Sequence, residues 1–450
     1  MDSHGKETIE IIREVFTYIN RFRDKAFVIK IDSEVIENLY FPVLLKDLAT
    51  LHNAGIKVII VPGARKRIDE ILEKYGIETE YSGGIRITEE GTIPFVKMAA
   101  FDVSNKIMTG LSAYRLNALV GNWIRARSMG VINGVDFKST GNIDKVLTAP
   151  LNKVLNENFI PIIPSIGWNP AGTPYNLSAN ELTIQVASAM NAEKIFFITS
   201  EDMLNISDYR IPSGVVPSSD GRISRMDGDA AQKFLALNSG ENTRSLEIIK
   251  QAISGIRNGI KRVHIINGNG NGGILSEIFS NLGIGTMIYR NEFDRIRKMV
   301  SGDIPEVLRI MRPFERSGAL IPRTKADLQH SVGDYVVYEI DNVVHGCAAL
   351  HQYEGNAGEI AAVAVDPEYE RMGIGKKLIT YLIMKAQESG MKSLFLLTTR
   401  SVDWFELLGF KSGRIEDLPG QKKENYNVNR NSRVMILKLE EFRQQPPDQY

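Results

Sequence analysis

The sequence predicts an open, mostly parallel α/β sheet followed by a smaller α+β domain. Three observations carry this. Short, near-continuous β-branched runs alternate with amphipathic helical segments as far as Tyr289, the pattern of parallel strands covered on both faces. Beyond that point a hairpin comes first and helices later. The chain has 450 residues, enough for two or three cores at roughly 100 to 200 residues per domain.

Composition narrows the class. Lys and Arg total 54 against 54 Asp and Glu, so no bulk field attracts nucleic acid or a membrane surface. The single cysteine, Cys347, excludes an internal disulfide framework and a cysteine-based zinc site. No apolar run reaches the roughly 18 residues of a membrane helix, and the polar, mixed-charge residues 1–10 are unlike a signal peptide. A cytoplasmic protein without metal is expected.

In chain order, Ile12, Val15, Phe16, Ile19 and Phe22 form one stripe of a helix over 7–22, which either packs on its own domain or contacts another subunit. Strands follow at 26–31 and 57–61, with helices over 42–53 and 65–75. The rhythm resumes with a strand at 159–163, a helix over 179–190, a strand at 194–199, helices over 229–236 and 247–258, and strands at 262–267 and 286–289. The second part reads as a helix over 304–314, a hairpin of 335–340 and 343–350 turning at Asp341-Asn342, a strand at 358–365, a helix over 376–388 and a strand at 393–399. Ser301-Gly302-Asp303 is expected to break a preceding helix and cap the next, and no strand is read there. The expected organisation is an N-terminal helix at 1–24, a first domain at 25–302 and a second at 303–450.

The strand at 360–365 runs through Asp366-Pro367 into Glu368-Tyr369-Glu370-Arg371-Met372-Gly373-Ile374-Gly375-Lys376 and then a helix. Glycines at a helix N-terminus let backbone N–H groups approach a phosphate, and the helix dipole favours its charge. A pyrophosphate is the natural guest, with Arg371 and Lys376 as cations. Followed by Trp404-Phe405-Glu406-Leu407-Leu408-Gly409-Phe410, this arrangement resembles the GCN5-related acetyltransferase family, although Glu370 stands where that family has Gln or Arg. The resemblance implies a pantetheine arm pairing with a splayed strand, here through Val363 and Val365, and a pyrophosphate on the loop that holds Gly373 and Gly375.

Arg312-Pro313-Phe314-Glu315, Gly346-Cys347-Ala348-Ala349-Leu350, Gly358-Glu359, Thr398-Thr399-Arg400-Ser401, Lys422-Lys423, Tyr426-Asn427 and Arg430 are similar to the bacterial N-acetylglutamate synthase family of arginine biosynthesis. That resemblance implies acetyl-CoA and L-glutamate as substrates. Attack on a thioester needs a deprotonated amine, and Glu359, at the start of the acetyl-CoA strand, is the expected base. Backbone N–H groups around Ala362 to Val365 are expected to hold the thioester oxygen. The leaving thiolate, with a pKa of about 8.5 as a free thiol, needs little help, and Thr398 or Thr399 is the candidate donor. A dicarboxylate calls for forked cations, for which Arg323, Arg400 and Arg430 are candidates; Pro322 occupies a position where the family often has Arg. Cys347, in an alternating apolar strand, reads as a core residue.

The first part is similar to the acetylglutamate kinase branch of the amino-acid kinase fold, through Phe27-Val28-Ile29-Lys30-Ile31, Tyr175-Asn176-Leu177-Ser178-Ala179 and Ala192-Glu193-Lys194-Ile195. The kinase loops are degenerate: Lys30-Ile31-Asp32-Ser33 and Val61-Pro62-Gly63-Ala64 replace glycine-rich phosphate loops, Asn180 replaces an Asp, and no second catalytic lysine stands near Ser224-Arg225-Met226-Asp227. Phosphoryl transfer depends on such amides and cations, so a catalytically silent regulatory domain is expected. Tyr18 in the N-terminal helix, and Glu277 and Gly283 before Ile284-Gly285-Thr286, resemble the arginine site of arginine-sensitive members, implying a homohexamer and L-arginine as effector. Two alternatives are a bifunctional synthase that still phosphorylates acetylglutamate, and a non-catalytic arginine sensor that binds a separate acetylglutamate kinase.

Overall fold

The apolar runs of the first part become one eight-stranded sheet. Its strands lie in the order Arg225–Asp227, Thr286–Tyr289, Arg262–Asn267, Lys194–Thr199, Ala26–Ile31, Lys57–Pro62, Ile160–Ile162 and Ala118–Val120. All neighbours run parallel except Arg262–Asn267 against Thr286–Tyr289. Alternation sends Phe27, Ile29 and Ile31 into one apolar layer and Val28 into the other. Helices Phe41–Asn53, Arg65–Lys74 and Ile93–Ser112 cover the first layer, and Ala179–Ala189, Gly228–Leu237 and Arg244–Arg257 cover the second. Each fully buried large apolar side chain contributes roughly 1.5–3 kcal/mol. The helix expected from 247 begins at Arg244 because the Thr243 side chain accepts the Leu246 N–H and caps it.

The computed structural model describes residues 15–442 except 17, 202–203, 214, 216, 219, 242, 271–272, 280–282, 291–293, 341–342, 368, 370–372 and 441. The expected turn at Asp341-Asn342, much of the 7–22 helix and Arg371 therefore lie outside the described residues. Among the described residues no helix is long and apolar enough to cross a membrane.

The chain divides into two units, Met1–Asn291 and Glu292–Tyr450. The second starts before the expected 302/303 boundary because Asp294–Lys298 pairs antiparallel with Tyr335–Ile340. Arg295 and Arg297 bond the buried Glu339 across that pair, at 2.8 and 2.6 Å. This unit holds a seven-stranded sheet in the order Asp294–Lys298, Tyr335–Ile340, Val343–Tyr353, Ala357–Val365, Ser393–Thr398, Arg433–Lys438 and Lys411–Gly413. Helix Ile304–Arg316 packs on one face and Ile374–Glu388 on the other.

Candidate active site

In the second unit the central strands separate. Ala357–Val365 pairs parallel with Ser393–Thr398 only through Ala357, Gly358 and Glu359, opposite Ser393, Leu394 and Phe395. On its other side a bulge sets Ala361 and Ala364, three residues apart, against Ala349 and Cys347, two apart, with Ala362 at φ +53°. The bulge shifts the alternation: Ile360, Val363 and Val365 pack under helix Ile374–Glu388, whereas Ala362 and Ala364 pack under Ile304–Arg316. Past Glu359 the strand thus turns an edge without a strand partner toward Ser393–Thr398. An extended amide-bearing arm fits such an edge.

The helix beyond this edge begins at Ile374, with Gly373 at its N-cap in the left-handed region, φ +68°, and no side-chain cap. Its first-turn N–H groups are open to an anion. Lys376 is exposed there, whereas the neighbouring Lys377 donates to the Tyr338 hydroxyl at 2.9 Å. Gly375 also sits close to an aromatic ring: a Cβ there would stand 3.3 Å from Trp404.

Glu359 lies where the strands part and is 5% exposed. Lys422 Nζ approaches its Oε1 at 2.6 Å and donates to Oε2 at 2.8 Å, and Tyr353 Oη donates to Oε2 at 2.9 Å. Burial and the adjacent Glu359 charge push the Tyr353 phenol above its ordinary range. Arg323 stands over the Tyr335 ring, 5.6 Å from its centre, and its charge reaches the Tyr353 phenol as well.

Two of the candidate arginines, far apart in sequence, converge on one segment through their guanidiniums, and the backbone of the third is tied to a side chain just before it. Arg400 Nη2 donates to the Ser317 carbonyl at 2.7 Å, Arg430 Nη2 to that of Ala319 at 2.6 Å, and the Arg323 N–H to Glu315 Oε1 at 3.1 Å. Thr398 ends its strand with Oγ1 accepting N–H groups of Arg400 and Ser401, at 3.4 and 3.2 Å, so it also orders the turn that carries Arg400. Burial pushes the Cys347 thiol up to about 12, as suits a core side chain. Among the described residues no cluster of His, Cys, Asp or Glu is placed to hold a metal.

In the first unit, Lys30, Asp32, Gly63, Arg65, Asn176 and Arg244 line a cleft of about 190 Å³ at the carboxyl ends of strands Ala26–Ile31 and Lys57–Pro62, where open α/β sheets bind ligands. The cleft is internally compensated. Lys30 pairs with Asp32, and Arg244 pairs with Asp32 at 2.8 Å and with Glu34 at 3.0 Å. Burial, with the Arg244 charge nearby, pushes the Lys30 ammonium down to about 7. The buried Asp32 carboxylate is one of the groups that line this cleft.

Elsewhere in this unit Glu277 is buried and hydrogen-bonded at both oxygens. Its Oε1 takes His264 Nδ1 at 2.7 Å, and its Oε2 takes the N–H groups of Ile284 and Gly285 at 2.8 Å each. Gly283, at φ +64°, is required here, because a Cβ would stand 2.5 Å from Glu277 Oε2. Tyr18 accepts from the buried Lys194 Nζ at 2.9 Å, and Lys194 also lies over the Phe22 ring. Lys194, His264, Tyr353 and Lys422 are the residues of these two clusters that sequence reasoning missed as site residues. His264 was legible only as one alternating position in a buried strand.

The His264–Glu277 pair sets a pH dependence. Burial lowers His264 from 6.5 to about 4; Glu277, raised by burial, is held below its ordinary value by His264 and the two N–H groups. Both groups bind protons more weakly folded than unfolded, so stability is lost as pH falls, for His264 between about 6.5 and 4. The thermal midpoint of the full chain is expected to drop across that window, and His264→Gln to flatten that part of the curve.

Residues 25–267 match the amino acid kinase family, and residues 304–410 the acetyltransferase (GNAT) family. The amino-acid acetyltransferase of Shewanella oneidensis is 33% identical over 446 residues, covering 96% of this chain and 98% of that one. That of Pectobacterium atrosepticum is 32% identical over 451 residues, covering 98% and 100%. Among solved structures, N-acetylglutamate synthase from Neisseria gonorrhoeae complexed with coenzyme A and L-arginine is similar with a TM-score of 0.82 and 29% identity, over 96% of this chain and 99% of that one. The same enzyme complexed with coenzyme A and N-acetyl-glutamate gives 0.60 and 30% over the same shares.

Proposed function

The chain belongs to the amino-acid acetyltransferase family, and on that premise we propose that it transfers the acetyl group of acetyl-CoA to the α-amino group of L-glutamate. The observation that carries this reading is a buried carboxylate at the point where two parallel strands part, in the same unit as two arginine side chains, Arg400 and Arg430, that converge on the carbonyls of residues 317–319. Glu359 takes one proton from the substrate ammonium, directly or through water. The free amine then forms the N–C bond, and the oxyanion is held by N–H groups around Ala362 to Val365. The C–S bond breaks, nitrogen loses its second proton, and the thiolate gains one, with Thr398 as the nearby hydroxyl; the net product is one proton to solvent. Val363 and Val365 offer main-chain pairing to the pantetheine arm, and Gly373, Gly375, Arg371 and Lys376 the pyrophosphate loop. Arg323, Arg400 and Arg430 receive the two substrate carboxylates.

Thiol release from acetyl-CoA is expected only with L-glutamate present. Faster release with another amino acid or a polyamine would overturn the substrate assignment. With acetylglutamate and ATP no ADP is expected, because Asp32 and its two cations occupy the corner a phosphate needs.

The Tyr18, Glu277 and Gly283 cluster supports L-arginine as effector, and the sign of its effect depends on which conformer it binds better. Binding heat in the wild type that disappears in Glu277→Gln is the expected result. A homohexamer through the N-terminal helix is supported by Phe16, 61% exposed beside the inward-packed Tyr18 and Phe22. Sedimentation with and without Phe16→Asp tests it, and mixing with acetylglutamate kinase on a sizing column tests that partner.

A further inference from the structure

Among the ion pairs of the second unit, one joins the buried Glu359 to a lysine on a short helix. Lys422 lies on the five-residue helix Gly420–Glu424, in a stretch rich in charged and polar residues. The neighbouring Lys423 and Glu424 are exposed, yet Lys422 reaches inward and places Nζ 2.6 and 2.8 Å from the two oxygens of Glu359. The partners are 63 residues apart in sequence.

We propose that Lys422 is a positioning residue of acetyl transfer: with Tyr353 it supplies the counter-charge of the Glu359 carboxylate and fixes it in one orientation, leaving an acceptor site on Oε1 for the incoming amine. The inference rests on the acyl-transfer reading and deepens it.

The argument is one of charge and lone pairs. A carboxylate almost fully removed from water and lacking a cation takes up a proton, and a protonated acid is no base. Lys422 supplies the cation. Each carboxylate oxygen has two acceptor sites. Oε2 accepts from both Lys422 and Tyr353, whereas Oε1 has the ion-pair contact with Lys422 and no hydrogen bond from a described residue. The grip from two sides fixes the carboxylate plane and leaves Oε1 with the vacancy.

The other titratable and charged groups near this point are accounted for. His351, opposite Glu359 on the neighbouring strand, is bonded through Nδ1 to Asp334 at 2.7 Å. Arg323 acts on the Tyr335 and Tyr353 phenols. Lys422 is therefore the cation in direct contact with the base among the described residues.

The test is the pH dependence of kcat/KM for glutamate in wild type, Lys422→Met, Lys422→Arg and Tyr353→Phe. Lys422→Met is expected to move the acidic limb up by about one unit or more and to lower kcat at neutral pH about tenfold or more, with KM for acetyl-CoA within about twofold. Lys422→Arg restores the limb, and Tyr353→Phe moves it up by less. If Lys422→Met fails to fold, the Arg and Tyr353→Phe profiles decide, both being expected active and ordered as stated. An acidic limb unmoved in Lys422→Met, or in Tyr353→Phe should that variant have to stand in, overturns the inference while leaving the wild type an active acetyltransferase. Absent or glutamate-independent thiol release in the wild type overturns the acyl-transfer reading instead.

Discussion

Glu359→Gln is expected to lower kcat by about 10²–10⁴-fold, the usual contribution of a positioned general base, while KM for acetyl-CoA stays nearly constant. The substitution keeps volume and retains a carbonyl to accept from Tyr353 and Lys422, so the strands keep their separation. It removes the atom that takes the ammonium proton. Cost then falls on kcat and on kcat/KM alike, the signature of an interaction made in the transition state. Raising the pH should recover part of the loss, because more substrate amine is then free without a base. A kcat within about threefold of wild type at neutral pH would place the base elsewhere.

What the sequence disclosed and what it hid follow from how far apart the interacting groups lie. Strands 26–31, 194–199 and 262–267 were legible because both faces are buried, which leaves near-continuous apolar runs. The strand Asp294–Lys298 was hidden because its charged residues look like solvated surface; their partner, Glu339, comes more than forty residues later. Helix Ile93–Ser112 and the four-stranded sheet of Ile124–Ser128, Gly141–Val146, Ile166–Trp168 and Pro174–Asn176 were also unread. Two of those strands are three residues long, too short for periodicity to register.

The site divides in the same way. Glu359 and Gly373 sit in local motifs, and their roles follow from position on a strand or at a helix start. Lys422 and Tyr353 become visible only when a strand, a hairpin end and a short helix meet. At Gly375 the motif was legible, while the close approach of the Trp404 ring, which comes nearly thirty residues later, was not. Lys30-Ile31-Asp32-Ser33 was legible as a degenerate phosphate loop, whereas the buried pairs of Asp32 with Lys30 and with Arg244, more than two hundred residues later, were not.

Arg430→Ala is expected to raise KM for L-glutamate about 100-fold, with KM for acetyl-CoA unchanged and kcat reduced much less. Arg430 ends the short helix Val428–Arg430, where the Asn427 side chain accepts its N–H and Asn431 follows at φ +47°. The backbone is fixed, so the guanidinium is aimed before substrate arrives. Its Nη2 is committed to the Ala319 and Gly318 carbonyls, while Nε and Nη1 donate to no described residue and remain for a carboxylate. Two charge-assisted hydrogen bonds at roughly 1.5–3 kcal/mol each give a loss of about 3 kcal/mol at the lower end, or about two decades in affinity. Arg430→Lys should recover little of it, because an ammonium cannot hold the 318–319 carbonyls and a carboxylate with one planar fork. The lost grip on that segment should also lower the thermal midpoint, and that effect is separable: a midpoint drop with KM for glutamate within about twofold of wild type would make Arg430 a structural clamp and leave Arg323 and Arg400 to hold the substrate.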